Sequence, residues 1–290
     1  MKYKLRHQTI YEYHDSIDNY QSIVCLNPIN SNLQSCENFT LEIYPTPHKT
    51  YSRIDIWGNI QYYFSIHEPH ASLKVIASSD IEVFAKNNLL VSTITCGETL
   101  DKLKKDLSLK NELLPFILPS PFIYWDYEVI AFAKPFFNTD STYYESITNL
   151  MAFIFGNFKF NAEFSSVNTP LKEILKERKG VCQDFSHLAI ASLRSLGFAA
   201  RYVSGYIETL PPPGKPKLQG SDASHAWISV YIPEMGWIEF DPTNNIIPNE
   251  QHIVTAYGRD YADIVPIKGI IFSSGSHTVE VEVDVIPLLF

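Results

Sequence analysis

The stretch GVCQDFSHLAIASLRSLG, residues 180–197, places a single cysteine between a glycine and an amphipathic run. Its apolar side chains recur every three to four residues from Phe185 to Leu196, which predicts a helix that starts after Gly180 and stops at Gly197. Cys182 then lies in the first turn, where free amide hydrogens and the positive end of the helix dipole stabilise a thiolate. The same amides can donate to an oxyanion. This position indicates a nucleophile, although a free cysteine is more often a small buried apolar residue.

The composition is that of a folded protein without a nucleic-acid partner. Of its 290 residues, 45% are apolar and 19% are charged, which is ordinary for globular chains. The length suggests two domains. A net charge of −9 without a long Lys/Arg run lacks the basic footprint of nucleic-acid binding.

Cysteine usage and the N-terminus predict a reduced compartment. Cys25, Cys36 and Cys96 form no CxxC pair with one another or with Cys182, which argues against a zinc ribbon and a disulfide scaffold. The first residues, MKYKLRHQTIYEYHD, lack the apolar core of a secretory signal. Prolines and acidic residues interrupt the apolar stretch at residues 113–137, so we expect no membrane span. We expect a cytoplasmic protein.

Patterning divides the chain into three parts. Residues 1–96 carry short alternating runs rich in Tyr, Ile, Val and Phe, which predict an antiparallel β domain with a hairpin turn at Gly58-Asn59. Residues 97–140 are a proline-rich connector. Residues 141–290 begin with helical runs and continue with strands such as ARYVSGYIET, SHAWISVYI and GWIEFDPT. The fold class that follows is α+β, with helices packed on an antiparallel sheet after the β domain.

Two further segments of the second half have a clear prediction. The prolines and glycines of LPPPGKPKLQGS, residues 210–221, predict a surface loop. The alternating run TVEVEVDV near the C-terminus predicts a strand that adds to a sheet.

His225, in SHAWISVYI, is the best-placed partner for Cys182. Alternation along this strand puts His225 and Trp227 on one face and an aliphatic row that starts at Ala226 on the other. An imidazole beside an aromatic ring is typical of the wall of a cleft. A structural histidine is the alternative, because a single His is a weak signal.

Asp241, in GWIEFDPT, is the third candidate. A carboxylate can fix the tautomer of an imidazole only if both side chains lie on the same face of the sheet. A five-residue loop from Ile232 to Gly236, with Gly236 at positive φ, places Trp227 opposite Asp241 and leaves His225 diagonal to it. A four-residue loop would put the carboxylate on the wrong face. An Asp-Pro turn is the alternative.

Cys182, His225 and Asp241 could also bind zinc, because all three side chains are zinc ligands. The remaining histidines, His252 among them, lack ligand-like spacing, and no Gly-rich phosphate loop occurs. We therefore expect no cofactor and no resident metal, with the zinc site as the alternative.

The blocks GVCQDFSHLAIASLRSLGFAARYVSGY, DASHAWISVYIPEMGWIEFDPTNN and AYGRDYADIVPIKGI resemble the bacterial transglutaminase-like family of candidate cysteine proteases. The resemblance covers nearly the whole chain and implies a papain-like transglutaminase core behind a β-rich N-terminal domain. It implies Cys182 as nucleophile, His225 as general base and acid, and Asp241 as the orienting carboxylate. The family pattern also implies that Arg259 and Asp260 lie close to the cleft.

One position departs from the papain-like pattern, in which a glutamine six residues before the cysteine helps to bind the oxyanion. Lys176 occupies that position here, so the second oxyanion donor stays open. Gln183 follows the cysteine and is expected to point elsewhere.

The chemistry implied is attack of a Cys182 thiolate on a carboxamide carbon to form a thioester. Water would complete a peptidase, isopeptidase or amidase reaction, whereas an amine would complete a transglutaminase reaction. We expect hydrolysis of a peptide or protein substrate, because a water-accessible cleft is the simpler site and the sequence has no EF-hand. A non-catalytic module that binds peptides on the same fold is the alternative from another class.

Overall fold

The computed structural model describes residues 1–85, 92–209, 220, 222–271 and 275–288. The predicted loop over residues 210–221 lies outside this range, apart from Gly220. The helices are α1 (Cys96–Lys105), α2 (Leu107–Leu113), α3 (Tyr127–Ala133), α4 (Tyr143–Asn157), α5 (Leu171–Glu177) and α6 (Cys182–Ser195). The strands are β1 (Lys2–Ile17), β2 (Tyr20–Val24), β3 (Gln34–Tyr44), β4 (Lys49–Ile54), β5 (Ile60–Ile66), β6 (His70–Val83), β7 (Lys159–Phe160), β8 (Lys179–Gly180), β9 (Ala200–Ile207), β10 (Ala223–Ile232), β11 (Gly236–Phe240), β12 (His252–Gly258), β13 (Ile267–Ile271) and β14 (His277–Pro287).

The α+β class predicted from the sequence is confirmed. Two four-stranded antiparallel sheets, in the orders β14-β1-β6-β3 and β13-β2-β5-β4, contain the N-terminal strands. A third, in the order β11-β10-β9-β12, follows the helices. Among the described residues, none of the helices is long and apolar enough to cross a membrane.

The N-terminal sheets enclose their own core, as the alternating runs require. Along β6 the side chains alternate between buried and half-exposed, and Leu73 and Val75 are fully buried beside Phe64 of β5. The predicted hairpin is present between β4 and β5, with Gly58 at φ 87° in the turn. Asp55 stabilises this turn because its Oδ1 accepts the amide hydrogens of both Trp57 and Asn59.

Helix α6 is the centre of the second half. It packs on the aliphatic face of β10, so that Leu188 of the helix shares one buried cluster with Ile228 and Val230. Burying each such side chain stabilises the fold by roughly 1.5–3 kcal/mol. The helix ends at Ser195, just before the predicted stop at Gly197, whose φ of 92° is the left-handed conformation that a glycine adopts without steric cost.

The C-terminal strand adds to a sheet, as predicted, but the sheet belongs to the N-terminal strands. β14 pairs with β1 along its length, with Leu5 opposite Val285, and β13 pairs with β2. The predicted range 141–290 includes these strands with the core, whereas their hydrogen bonds run to the N-terminal part. The physical reason is the alternation in β14, which buries Val283 and Val285 against Tyr3 and Leu5.

The same contact joins the two halves of the molecule. The cluster that contains Tyr3 and Val285 also contains Tyr206 of β9, and the Tyr206 hydroxyl lies 2.9 Å from His7 Nδ1. Burial lowers the pKa of His7 to about 4. His7 is therefore a neutral hydrogen-bonding group in the interface near neutral pH.

Candidate active site

Cys182 is the first residue of α6, as predicted. The residue before it, Val181, is extended, and the Val181 amide donates to Asp184 Oδ2 at 2.8 Å. Ser165 Oγ donates to the same oxygen at 2.5 Å. Gly180 lets this cap close, because a Cβ there would lie 2.8 Å from the Asp184 Cβ. The helix N-terminus that presents the thiol is thus fixed by a side chain in its own first turn.

The imidazole of His225 lies between the thiol and a carboxylate. His225 Nε2 is 2.8 Å from Asp241 Oδ2, and the Cys182 side chain lies close enough to the ring to raise the pKa of His225. Because Nε2 is directed at the carboxylate, Nδ1 is the nitrogen left for the thiol. The structure therefore brings together all three residues singled out in the sequence.

The strand register behind this arrangement is the one that the five-residue loop predicts. Ile232 pairs with Gly236, and Gly236 has a φ of 78°. The ladder runs to the pair of Ile228 and Phe240, and one further step places Asp241 opposite Trp227. Asp241 is thereby on the same face as the imidazole, diagonal to it.

Asp241 is fully buried and accepts five hydrogen bonds. Its Oδ2 is approached by His225 Nε2, by Asn244 Nδ2 at 2.8 Å and by His252 Nε2 at 3.3 Å. Its Oδ1 accepts the backbone amides of Thr243 and Asn244 at 3.0 and 3.2 Å. Burial alone would raise the pKa of this carboxyl, but the bonds from the two histidines and the charge of His225 hold it well below its usual range.

The pKa of His225 is shifted in the opposite direction, upward. Burial alone lowers the pKa of this imidazole, whereas the hydrogen bonds and charges of Asp241 and Cys182 outweigh burial and raise it to about 10. A protonated ring is therefore favoured at neutral pH. An imidazolium beside a thiol is an environment that activates a cysteine nucleophile.

Asn244 and His252 are site residues that sequence reasoning missed. Asn244 lies in the quoted FDPTNN block, and its Nδ2 is 3.3 Å from His225 Nε2 in addition to its bond to Asp241. The sequence gives His252 no ligand-like spacing, yet it lies on β12, the opposite edge strand of the sheet, and reaches Asp241 from there. No local pattern signals this contact.

The face of β10 that carries His225 is more enclosed than the sequence suggested. Trp227 has no exposed surface, and its ring stacks on that of His225 with centroids 5.8 Å apart. Val203, Val254 and Ile29 pack around the indole, so it supports the imidazole from behind and does not form a cleft wall.

Arg259 and Asp260 have structural partners. Arg259 forms a two-pronged ion pair with Asp263, and the buried Asp260 accepts the amide hydrogens of Phe122 and Ala262. These bonds secure the segment after β12, and none of them runs to Cys182, His225 or Asp241.

The oxyanion donors that the structure offers are the backbone amides of the first turn of α6, which have no partners within the helix. The side chain of Gln183 points away, as expected, and approaches the carbonyl oxygen of Val167 at 3.4 Å. Lys176, at the position of the papain-like glutamine, is exposed and lies 3.6 Å from Glu177. Its side chain is not part of the site.

His225, Asp241 and His252 could hold a metal ion, since their ligand atoms all lie within 4.8 Å of one another. A metal-bound imidazole normally donates a hydrogen bond from its other nitrogen. Nδ1 of His252 has both kinds of partner within reach, the backbone amide of Asn249 at 3.3 Å and its Oδ1 at 3.4 Å. In the structure the three ligand atoms bond to one another, since both Nε2 atoms are directed at Asp241 Oδ2. The zinc site of Cys182, His225 and Asp241 stays the alternative prediction of the sequence.

Comparison with known proteins gives consistent similarities. Residues 130–242 match the family model of the transglutaminase-like superfamily, and residues 3–82 match that of the bacterial transglutaminase-like N-terminal region. An uncharacterised protein of Mycobacterium tuberculosis is 36% identical over 298 aligned residues, which cover 99% of this chain and 93% of the relative.

Two further matches concern an enzyme and a solved structure. A protein-glutamine gamma-glutamyltransferase of Pseudomonas aeruginosa is 35% identical over 86 residues, or 29% of this chain and 13% of that protein. The crystal structure of a candidate cysteine protease from Cytophaga hutchinsonii matches with a TM-score of 0.76 at 22% identity and covers 100% of this chain and 92% of that chain. The latter similarity is one of fold.

Proposed function

This chain belongs to the transglutaminase-like superfamily, and we propose on that basis that it is a thiol-dependent acyl-transfer enzyme that hydrolyses peptide or amide bonds. The observation that carries the proposal is the grouping of Cys182, His225 and Asp241, in which one imidazole lies beside a thiol and bonds, at 2.8 Å, to a buried carboxylate. Cysteine peptidase, isopeptidase and amidase are the activities that fit.

In the proposed reaction, His225 Nδ1 takes the proton of Cys182 Sγ, and the thiolate attacks the carboxamide carbon. The amides at the start of α6 bind the oxygen of the tetrahedral intermediate. The C–N bond then breaks, His225 returns its proton to the departing amine, and a thioester remains on Cys182. Asp241 keeps the ring in the tautomer that leaves Nδ1 free for the sulfur.

Hydrolysis of the thioester follows when His225 removes a proton from water, which attacks the acyl carbon and releases an acid and the free thiol. Capture by a primary amine instead would make the protein a transglutaminase. The similarity to the gamma-glutamyltransferase of Pseudomonas aeruginosa favours this as the second candidate function. Both reactions share one intermediate, so the acceptor distinguishes them.

The two outcomes differ in product mass. We would incubate the protein with a peptide library that contains glutamine and asparagine, with and without a primary amine. Cleaved or deamidated products that form whether or not the amine is present support hydrolysis. Adducts of the amine would instead show that the enzyme is a transglutaminase. Cys182→Ala should abolish either reaction, and Cys36→Ala, which changes a half-buried cysteine elsewhere, should not.

Alkylation tests the enzyme against a peptide-binding module. Iodoacetamide at neutral pH should modify Cys182 faster than Cys25, Cys36 and Cys96, and His225→Ala should remove the difference. Slow and equal modification of the four cysteines would refute the catalytic proposal. A peptide or protein substrate and a cytoplasmic location, with no nucleic-acid or membrane partner, stay predictions of the sequence.

A further inference from the structure

We infer that His252 is a positioning residue for the catalytic carboxylate, and that the N-terminal β domain holds it in place through two side-chain amides. The inference rests on the proposed function, because it assigns His252 a role in the chemistry of Cys182. It gives the N-terminal domain a part in the reaction without any contact with substrate.

The ring of His252 is buried among hydrogen-bond partners. It is 3% exposed, and its Nδ1 faces both the backbone amide of Asn249, at 3.3 Å, and the side-chain Oδ1 of the same residue, at 3.4 Å. On the other side, Nε2 is directed at Asp241 Oδ2, 3.3 Å away. A carboxylate oxygen only accepts, so the hydrogen bond to Asp241 is one in which Nε2–H donates.

His252 bonds to Oδ2 of Asp241, which is also the oxygen that bonds to His225. Two backbone amides hold Oδ1 of Asp241, and Oδ2 lies between His225 and His252. Without His252 the carboxylate would lose the bond that draws Oδ2 toward β12, and its plane could turn relative to the imidazole of His225. The bond also favours the ionised form, since it is one of the interactions that lower the pKa of Asp241.

Ring packing keeps the two histidines in a constant relation. The ring of His252 meets Trp227 edge to face, with centroids 5.2 Å apart and planes at 81°. Trp227 stacks in turn on His225. The indole therefore packs against both imidazole rings and fixes the distance between them, while the Nε2 atom of each ring is directed at Asp241.

The strand that carries His252 is held by the N-terminal domain. β12 is the edge strand of its sheet, so the outer edge has free backbone groups that another strand would normally satisfy. Gln34 replaces that strand at Val254: its Oε1 accepts the Val254 amide and its Nε2 donates to the Val254 carbonyl, both at 2.8 Å.

Asn59 makes the same pair of hydrogen bonds three residues further along β12, at Tyr257. Its Oδ1 accepts the Tyr257 amide at 2.8 Å, and its Nδ2 donates to the Tyr257 carbonyl at 2.7 Å. Gln34 and Asn59 are both buried, so these bonds lie out of competition with water. Four hydrogen bonds from two amides thus secure the edge strand that positions His252.

The experiment uses the full chain and two substitutions of His252. His252→Phe keeps a ring against Trp227 but has no donor, and His252→Gln has an amide N–H that can replace Nε2–H. Melting curves establish that each variant is folded. The readouts are kcat/KM on the best substrate from the peptide library and the pH dependence of the alkylation rate of Cys182.

We expect His252→Phe to lower kcat by about tenfold to a hundredfold with little change in KM, as misplacement of a catalytic group does. We also expect the acid limb of the alkylation profile to move to higher pH, because the carboxylate loses a bond that stabilises its charge. His252→Gln should restore both quantities. Equal losses in the two variants, or an unmoved acid limb in a folded His252→Phe variant, would overturn the role of His252.

Alkylation separates this inference from the proposed function. If His225→Ala changes the labelling of Cys182 and His252→Phe does not, only the inference fails. If His225→Ala has no effect, the proposed function and the inference fail together. Neither outcome requires a known substrate.

A separate variant tests the role of the N-terminal domain. Gln34→Met keeps the length of the side chain but removes the amide, and it should shift the acid limb in the same direction as His252→Phe. Gln21→Met, at an exposed glutamine of the same domain, is the matched control. If Gln34→Met does not fold, Asn59→Ala takes its place. A folded variant with an unchanged profile would exclude a contribution of the domain.

Discussion

Replacing Asp241 by asparagine keeps the shape of the side chain and removes its charge, so it tests the electrostatics of the proposed triad. Asp241 supplies both a hydrogen bond and a charge to His225, and together with Cys182 it raises the imidazole pKa from 6.5 to about 10. That difference corresponds to roughly 5 kcal/mol in favour of the imidazolium. The larger part of this stabilisation should depend on the carboxylate.

An opposite charge at hydrogen-bond distance typically moves a pKa by about 1–3 units. In Asp241→Asn the alkaline limb of kcat/KM, which reports loss of the His225 proton needed by the leaving amine, should therefore move down from near pH 10 by about 1–3 pH units. A neutral amide also fixes the imidazole tautomer poorly. The corresponding change in a serine protease lowers kcat by about 10⁴, and we expect a fall on the order of 10²–10⁴ here.

Stability gives an independent measure of the same pKa. Because the folded pKa of His225 is raised, its contribution to the free energy of unfolding is complete below pH 6.5 and is lost as the pH rises through about 10. The wild-type protein should thus lose stability across this window, and Asp241→Asn should lose less.

The assays are steady-state kinetics and chemical denaturation at intervals between pH 6 and pH 11. Asp101→Asn removes an exposed carboxylate that pairs with Lys105 and serves as the control with unchanged profiles. An alkaline limb that stays in place in a folded Asp241→Asn variant would show that the carboxylate does not set the basicity of His225.

Three further predictions concern the fold. The pKa of His7 is lowered to about 4, so the protein should lose up to roughly 3 kcal/mol of stability as the pH falls from 6.5 to 4, and His7→Gln should flatten this acid limb in denaturation curves. A Cβ at Gly205 would collide with the carbonyl oxygen of Ile253, so Gly205→Ala should lower the free energy of unfolding by about 1–3 kcal/mol or more, whereas Gly156→Ala, in a helix with open space, should be neutral or stabilising by up to about 1 kcal/mol. Leu188→Ala should cost about 2–5 kcal/mol in urea denaturation, since the side chain is fully buried in the central cluster.

Much of the candidate site could be predicted because its decisive features are local. The start of α6 follows from a glycine and a helical apolar period, and the first-turn position of Cys182 follows from that start. The orientation of Asp241 follows from alternation in two strands and the length of the loop between them, which the pairing of Ile232 with Gly236 confirms. In each case the relevant residues are close in sequence.

Apart from Asn244, which is close to Asp241 in sequence, the missed features depend on elements that meet from distant parts of the chain. His252 reaches Asp241 only because β12 pairs with β9, and Ile29 of the N-terminal domain joins Val203 and Val254 in closing the face of Trp227. The pairing of β14 with β1 is long-range in the same way. Several strand edges could accept β14, and the packing of its alternating face decides which one does.

The periodicity of apolar side chains, the glycines and the loop lengths were therefore enough to establish the α+β class, the helix that begins at Cys182 and the register that aligns His225 with Asp241. The tertiary structure added the second histidine on the carboxylate, the amides of Gln34 and Asn59 that hold its strand, and the return of the C-terminal strands to the first sheets. Side-chain periodicity reflects backbone geometry over a few residues, whereas the partners of a strand edge are chosen by the packing of whole sheets, which no short segment encodes.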